Sequence, residues 1–209
     1  MSNKVLITRP RHDITTRYLF AWAEKIVNFA QKKHFDVLDL SKERANKKEI
    51  ISMLKKMEPF LVFCNGHGDK NLVAGHDNEV LLEVGENERL TKSKIIYALS
   101  CKSAKKLGPK CIKAGALAYI GYDDDFVFIH EEKTTRVLGD KIAALFLDPS
   151  NQIMISLLKG HTSKEAYERS QSYFKKNIQK LVNSESEDNN LVPFLLWDRE
   201  HQVCLDNKK

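Results

Sequence analysis

The sequence predicts an α/β protein: a three-layer α/β/α arrangement around a mostly parallel sheet, with small extra hairpins. Two observations carry this expectation. Short apolar runs recur along the chain, and longer segments with apolar residues at helical spacing separate several of them. Strands that alternate with helices need crossover connections, which favours parallel pairing with helices on both faces.

Taken in order, Lys4–Thr8 is the first expected strand. Ile14–Lys33 follows as a helix, with Leu19, Ala23, Ile26, Val27 and Ala30 at helical spacing. Phe35–Leu40 is a second short strand. Ser41 is placed to cap a helix over Lys42–Met57, which Pro59 ends. Phe60–Cys64 is the third strand, and Asn71–Glu86 reads as a hairpin centred on Val80-Leu81-Leu82. Lys94–Ser100 is the fourth major strand, Ala104–Ala114 a helix stopped at Gly115, and Ala116–Gly121 the fifth strand. The second half is more helical, over Thr134–Leu147, Ile153–Leu158 and Ser163–Val182. Ser184–Asn190 reads as a loop, and Pro193–Trp197 with Gln202–Leu205 as a terminal hairpin. No internal repeat or low-complexity linker divides the chain, so residues 1–209 are expected to form one domain.

Composition excludes several function classes. The 42% hydrophobic and 30% charged content is ordinary for a globular chain. The net charge of +6 comes from lysines dispersed among acidic residues, without the basic stripe interleaved with aromatics that nucleic-acid binding requires. No apolar run is long enough for a membrane span, and Met1–Ile7 reads as a strand rather than a signal peptide. The four cysteines, Cys64, Cys101, Cys111 and Cys204, show no CxxC pair and no zinc-type spacing. A reduced, cytoplasmic protein without a cofactor is the expectation.

The chemistry concentrates at two strand ends. The third strand runs into Asn65-Gly66-His67-Gly68-Asp69, and the fourth ends at Ser100-Cys101. In doubly wound sheets, ligands bind at the carboxyl ends of strands near the switch in strand order. If these two strands are neighbours, an imidazole and a thiol emerge at one edge. Such a pair suits nucleophilic catalysis, with the helix after Cys101 expected to lower the thiol pKa. The amides of Gly68 and Cys101 are candidate oxyanion donors. Three alternatives stand beside this reading: a plain glycine turn, a merely buried cysteine, or metal binding by Cys64, His67 and His76, which lacks the usual spacing. Cys64, Cys111 and Cys204 read as structural.

These elements, in this order, resemble the caspase–gingipain–separase clan of cysteine peptidases. The compact prokaryotic forms, the CHAT domains and the gingipain-like peptidases, are the most similar branches. The resemblance continues through Leu107-Gly108, Ala114–Gly121, Gly160–Tyr167 and Val192–Asp198, the last being similar to the closing strand of those domains. It implies a caspase-like fold, Cys101 as nucleophile, His67 as general acid/base, and the Gly68 and Cys101 amides as oxyanion hole. It further implies substrate selection by acidic groups after the fifth strand, where Asp123-Asp124-Asp125 stand to attract Arg or Lys. The other reading of that run is a solvated acidic loop, and Asp69 reads as a turn residue.

Leu99-Ser100-Cys101-Lys102-Ser103 departs from the Gln-Ala-Cys-Arg-Gly run of caspases proper, so cleavage after Asp is not expected. No third catalytic member stands out, and Lys102 reads as facing solvent. The expected partners are a peptide or protein substrate and a regulatory protein, with no membrane and no specific nucleic acid. A catalytically silent regulatory or interaction module is the alternative. A nucleotide-binding domain would need a glycine-rich loop after the first strand, where Leu6-Ile7-Thr8-Arg9-Pro10-Arg11-His12 stands instead.

Overall fold

The structure, a computed structural model, describes residues 3–131, 136–183 and 187–206. Among these described residues, eight strands and six α-helices run β1 (Lys4–Arg9), α1 (Ile14–Lys32), β2 (Asp36–Ser41), α2 (Lys47–Lys56), β3 (Leu61–Asn65), β4 (Leu72–Ala74), β5 (Val80–Glu83), β6 (Ile95–Leu99), α3 (Leu107–Lys113), β7 (Ala118–Tyr122), α4 (Lys141–Leu158), α5 (Ser163–Val182), α6 (Val192–His201) and β8 (Gln202–Asp206). The main sheet has the order β2-β1-β3-β6-β7-β8, parallel except for β8 at one edge. β4 and β5 form the separate small hairpin that the apolar centre at Val80-Leu81-Leu82 predicts.

The pleat divides the core into two layers. Val5, Ile7, Leu61, Phe63, Tyr97, Leu99, Ile120 and Tyr122 face α1 and α4, where Trp22, Ile26, Leu147 and Met154 are buried against them. Leu6, Val62, Cys64, Ile96, Ala98 and Tyr119 face α2, α3 and the hairpin. Alternation along a strand buried on both faces produces the near-continuous apolar runs of the sequence. The three-layer expectation holds.

Several elements differ from expectation. Pro193–Trp197 lies in helix α6 rather than in a strand, because Pro193 occupies the first helical turn, where a missing N–H costs nothing. The Gln202–Leu205 segment is a strand, but it pairs antiparallel with β7 across the sheet instead of closing a hairpin. Helices expected over Thr134–Leu147 and Ile153–Leu158 are one helix, α4, with Pro149 inside it. Proline removes the bond to the carbonyl four residues back; here the Asn177 side-chain amide donates to Leu145 O at 2.8 Å and fills that place. Residues 134 and 135 lie outside the described residues, as do 184–186 of the expected loop. Finally, Lys42–Arg44 is a single 3-10 turn, and α2 starts later with Asn46 Oδ1 accepting from the Glu49 amide at 2.9 Å.

The chain turns from β1 to β2 on one side and to β3 on the other, so the switch in strand order falls between β1 and β3. Their carboxyl ends are tied together. Asn65 N–H donates to Thr8 Oγ1 at 3.0 Å, and Asn65 Nδ2 donates to Thr8 O at 2.9 Å. Whatever follows these two strands is therefore held at one rim.

Candidate active site

Neighbouring parallel strands β3 and β6 end in register, with Asn65 opposite Leu99 as the last pair. His67 and Cys101 each stand two residues further on, at the same carboxyl rim. The Gly66 amide donates to Leu99 O at 3.4 Å, carrying the ladder one step past the strand end. Gly66 has φ +144, and a Cβ there would overlap the carbonyl oxygen of Ala74, so glycine is required for the chain to leave the sheet at this angle. A Cβ on Gly68 would stand 3.0 Å from Cys101 O and 3.0 Å from Ser100 Cβ. The loop carrying His67 thus lies directly against the turn carrying Cys101.

That second turn is held from the far side. Lys102 N–H donates to Asp124 O at 2.9 Å, and Ala104 N–H donates to Tyr122 O at 3.0 Å. Lys102 adopts φ 57, a left-handed conformation that a non-glycine residue takes only when its surroundings enforce it. The helix expected from Ala104 starts only at Leu107. Its dipole fades within the first turn and does not lower the thiol pKa as the sequence suggests. Instead, burial pushes the half-buried Cys101 thiol up, with the Asp125 carboxylate adding to the rise. Cys101 Sγ lies 3.8 Å from Phe126 O, a weak thiol donor contact. Among the described hydrogen bonds, neither the Gly68 nor the Cys101 amide donates to a backbone acceptor.

His67 is anchored by a residue that the sequence reading does not single out. Its Nε2 lies 2.5 Å from Asp13 Oδ2. Asp13 follows β1 and caps α1: its Oδ1 accepts from the Thr16 amide at 2.7 Å, while Thr16 Oγ1 accepts from the Asp13 amide at 3.0 Å. Burial opposes ionisation, but the Thr16 amide and His67 outweigh it and hold the carboxyl at about 2. The carboxylate therefore accepts from Nε2, and whenever the ring carries a single proton the lone pair is on Nδ1. The signal available in the sequence was the Asp13-x-x-Thr16 capping pattern at the exit of strand one. It declares a helix start, not a histidine partner.

The acidic run after β7 is engaged within the chain. Lys102 Nζ lies 2.6 Å from Asp125 Oδ2 and 3.7 Å from Asp124 Oδ1, so Lys102 does not simply face solvent. Asp123 Oδ1 meets His201 Nδ1 at 2.8 Å. Asp69 is a turn residue, accepting from the Asn71 and Leu72 amides at 2.6 and 3.1 Å. Cys64, on the sheet face of β3, and Cys111, on α3, are buried in the same core layer rather than at the rim, so Cys64 does not join His67 and His76. Cys204 packs at the edge of the other layer.

The three-layer order of elements is a caspase-like fold. Solved structures that share it include two of a gingipain. A complex of the pro- and mature domains of RgpB from Porphyromonas gingivalis superposes with a TM-score of 0.65 at 8% identity, over 99% of this chain and 48% of that one. The Arg-specific cysteine proteinase gingipain R superposes at 0.62 and 12% identity, over 99% of this chain and 46% of that one. The chain spans about half the length of these structures. No family model matches the chain, and no curated protein matches it by sequence. Among the described residues, no helix is long and apolar enough to cross a membrane.

Proposed function

We propose that the chain is a cysteine peptidase in which Cys101 is the nucleophile and His67 the general base and acid. The observation that carries this reading is the juxtaposition of the two strand exits: His67 and Cys101 each stand two residues past the last pair, Asn65–Leu99, with Gly68 packed on the Ser100–Cys101 turn. The raised thiol pKa means that the resting sulfur is protonated and needs a base. His67 supplies one, since Asp13 occupies Nε2 and leaves Nδ1 to take the thiol proton. The thiolate then attacks the scissile carbonyl carbon. The Gly68 and Cys101 amides, which donate to no backbone acceptor among the described residues, receive the developing oxyanion. The imidazolium returns its proton to the leaving amine, and a thioester remains, which water hydrolyses with His67 again acting as base. Asp13 stabilises the imidazolium at both stages.

Cleavage after Arg or Lys fits the acidic run. One ammonium, that of Lys102, faces two carboxylates, those of Asp124 and Asp125, which leaves net negative charge beside Cys101. A reducing, cytoplasmic setting suits the free cysteines. The decisive experiment replaces Cys101 by Ala. Loss of cleavage in a basic-residue peptide library, and of labelling by a peptidyl electrophile, is the expected result; turnover by the folded variant would refute the assignment.

One observation favours the second reading, a silent regulatory or interaction module. The thiol is half covered and directed at the Phe126 carbonyl rather than at open space. Under that reading, neither the free chain nor the chain with an activating partner labels at Cys101.

A further inference from the structure

His12, next to Asp13, has no part in the chemistry above. Its side chain is 11% exposed, yet among the described residues neither ring nitrogen has a hydrogen-bond partner, and neither is open to solvent. Buried polar nitrogens nearly always find a partner, so an orphaned imidazole calls for a reason. The ring is wedged between two others, with centroids 5.8 Å from His67 and 5.3 Å from His76. His12 Nε2 stands 3.6 Å from Asp13 Oδ2, the same oxygen that His67 Nε2 approaches. One ligand atom from each of His12, Asp13 and His67 falls within 4.8 Å of the others.

These separations suit a metal ion. Two nitrogen or oxygen ligands of a tetrahedral zinc, each about 2.0–2.1 Å from the ion, stand roughly 3.3 Å apart. The His12–Asp13 pair is already near that value. The His67–Asp13 pair is a hydrogen bond and needs to open by roughly 1 Å to admit an ion. Two imidazoles and a carboxylate, with a fourth position left for water, are a usual donor set for zinc. The capping bonds of Thr16 hold Asp13 Oδ1, so that Oδ2 is presented to the ion, as outer-shell partners orient ligands elsewhere. His76 is not a ligand: its Nδ1 accepts from the Arg11 amide at 3.1 Å, and its ring supports His12 edge-on.

We propose that His12, Asp13 and His67 form a binding site for a divalent transition-metal ion of the zinc type, and that its occupancy switches off the thiol chemistry. The switch rests on the peptidase reading; the binding site does not. An ion on His67 takes the Nε2 lone pair, so the single proton of the neutral ring moves to Nδ1. That nitrogen no longer accepts the Cys101 proton, and the Asp13 hydrogen bond is replaced by coordination.

The test uses the full chain, stripped of metal with a chelator, both as wild type and with Cys101→Ala. Titration with Co²⁺ is expected to give a visible d–d absorption in both proteins, without a thiolate charge-transfer band, and one equivalent of Zn²⁺ should erase it. His12→Gln and, as a second variant, Asp13→Asn should each weaken binding more than tenfold, with circular dichroism confirming that each is folded. Absence of Co²⁺ absorption, binding untouched by both substitutions, or a band that disappears with Cys101 overturns the site. Where wild type cleaves peptide, Zn²⁺ should inhibit it and the inhibition should weaken more than tenfold in His12→Gln; equal inhibition overturns the switch. A wild type without turnover counts against the peptidase reading alone, since the spectra still decide the site.

Discussion

His67 Nε2 and Asp13 Oδ2 lie 2.5 Å apart, joining the exit of β3 to the cap of α1. One carboxylate thereby does two jobs through its two oxygens, and the jobs are separable. Asn caps helices about as well as Asp. Asp13→Asn should therefore keep the stability of α1 while lowering kcat/KM by about 10- to 100-fold, roughly 1.4–2.7 kcal/mol of transition-state stabilisation. Asp13→Ala should lose activity similarly and also about 1 kcal/mol of folding stability. Urea unfolding beside peptide kinetics checks both; equal stability of the two variants would contradict the capping role.

The same carboxylate predicts an acid limb in stability. Its pKa is held at about 2 in the folded chain, below the ordinary value of 3.8. A depressed carboxyl stabilises the fold above its unfolded pKa and loses that contribution as pH falls through the folded one. Asp13 is 38% exposed, so solvent screening limits the contribution to about 1 kcal/mol. It should be fully present at pH 5 and vanish between about pH 4 and pH 2. Thermal melts across that window should show a shallower acid slope for Asp13→Ala than for wild type.

Gly68→Ala tests the close approach of the two turns. The added methyl meets Cys101 O, Leu72 O and Ser100 Cβ, all at 3.0 Å, two of them backbone atoms. Overpacking of this kind costs about 1–3 kcal/mol. It should also part His67 from Cys101, and kcat/KM should fall by more than the stability loss explains. Gly139→Ala, whose methyl would meet, among the described residues, Arg136 Cβ at 3.8 Å, is the control and should be near neutral.

Asp124→Asn with Asp125→Asn removes the net negative charge that Lys102 leaves uncompensated. Under the proposed basic specificity, preference for Arg or Lys over neutral residues should fall about tenfold or more, the work of roughly 1.4 kcal/mol. Lys102→Met should move the preference the other way. Profiling with a peptide library separates the outcomes, and an unchanged profile in both variants would assign the run to a solvated loop.

Much of this molecule is written in its local sequence. The strands β1, β3, β6 and β7 are legible because both sheet faces are buried, which forces near-continuous apolar runs. His67 and Cys101 are legible for a related reason: both follow such runs, and the glycines around His67 mark a backbone that must bend and be approached closely. Helix α6 is not, because Pro193-Phe194-Leu195-Leu196-Trp197 is short and apolar, and a run of that length does not by itself distinguish helix from strand. The continuity of α4 past Pro149 is not either, since the group that satisfies Leu145 O comes from α5.

The partnership of Asp13 with His67, and the approach of His12 to both, belong to the tertiary structure alone. Those residues follow different strands, β1 and β3, far apart in the chain. Only the parallel pairing of these strands at the switch in sheet order brings their exits to one rim, and the Thr8–Asn65 bonds hold them there. Local propensity acts over a few residues, so it writes strand ends and helix caps into the sequence. Which end meets which cap is decided by the burial of a whole sheet between two layers of helices.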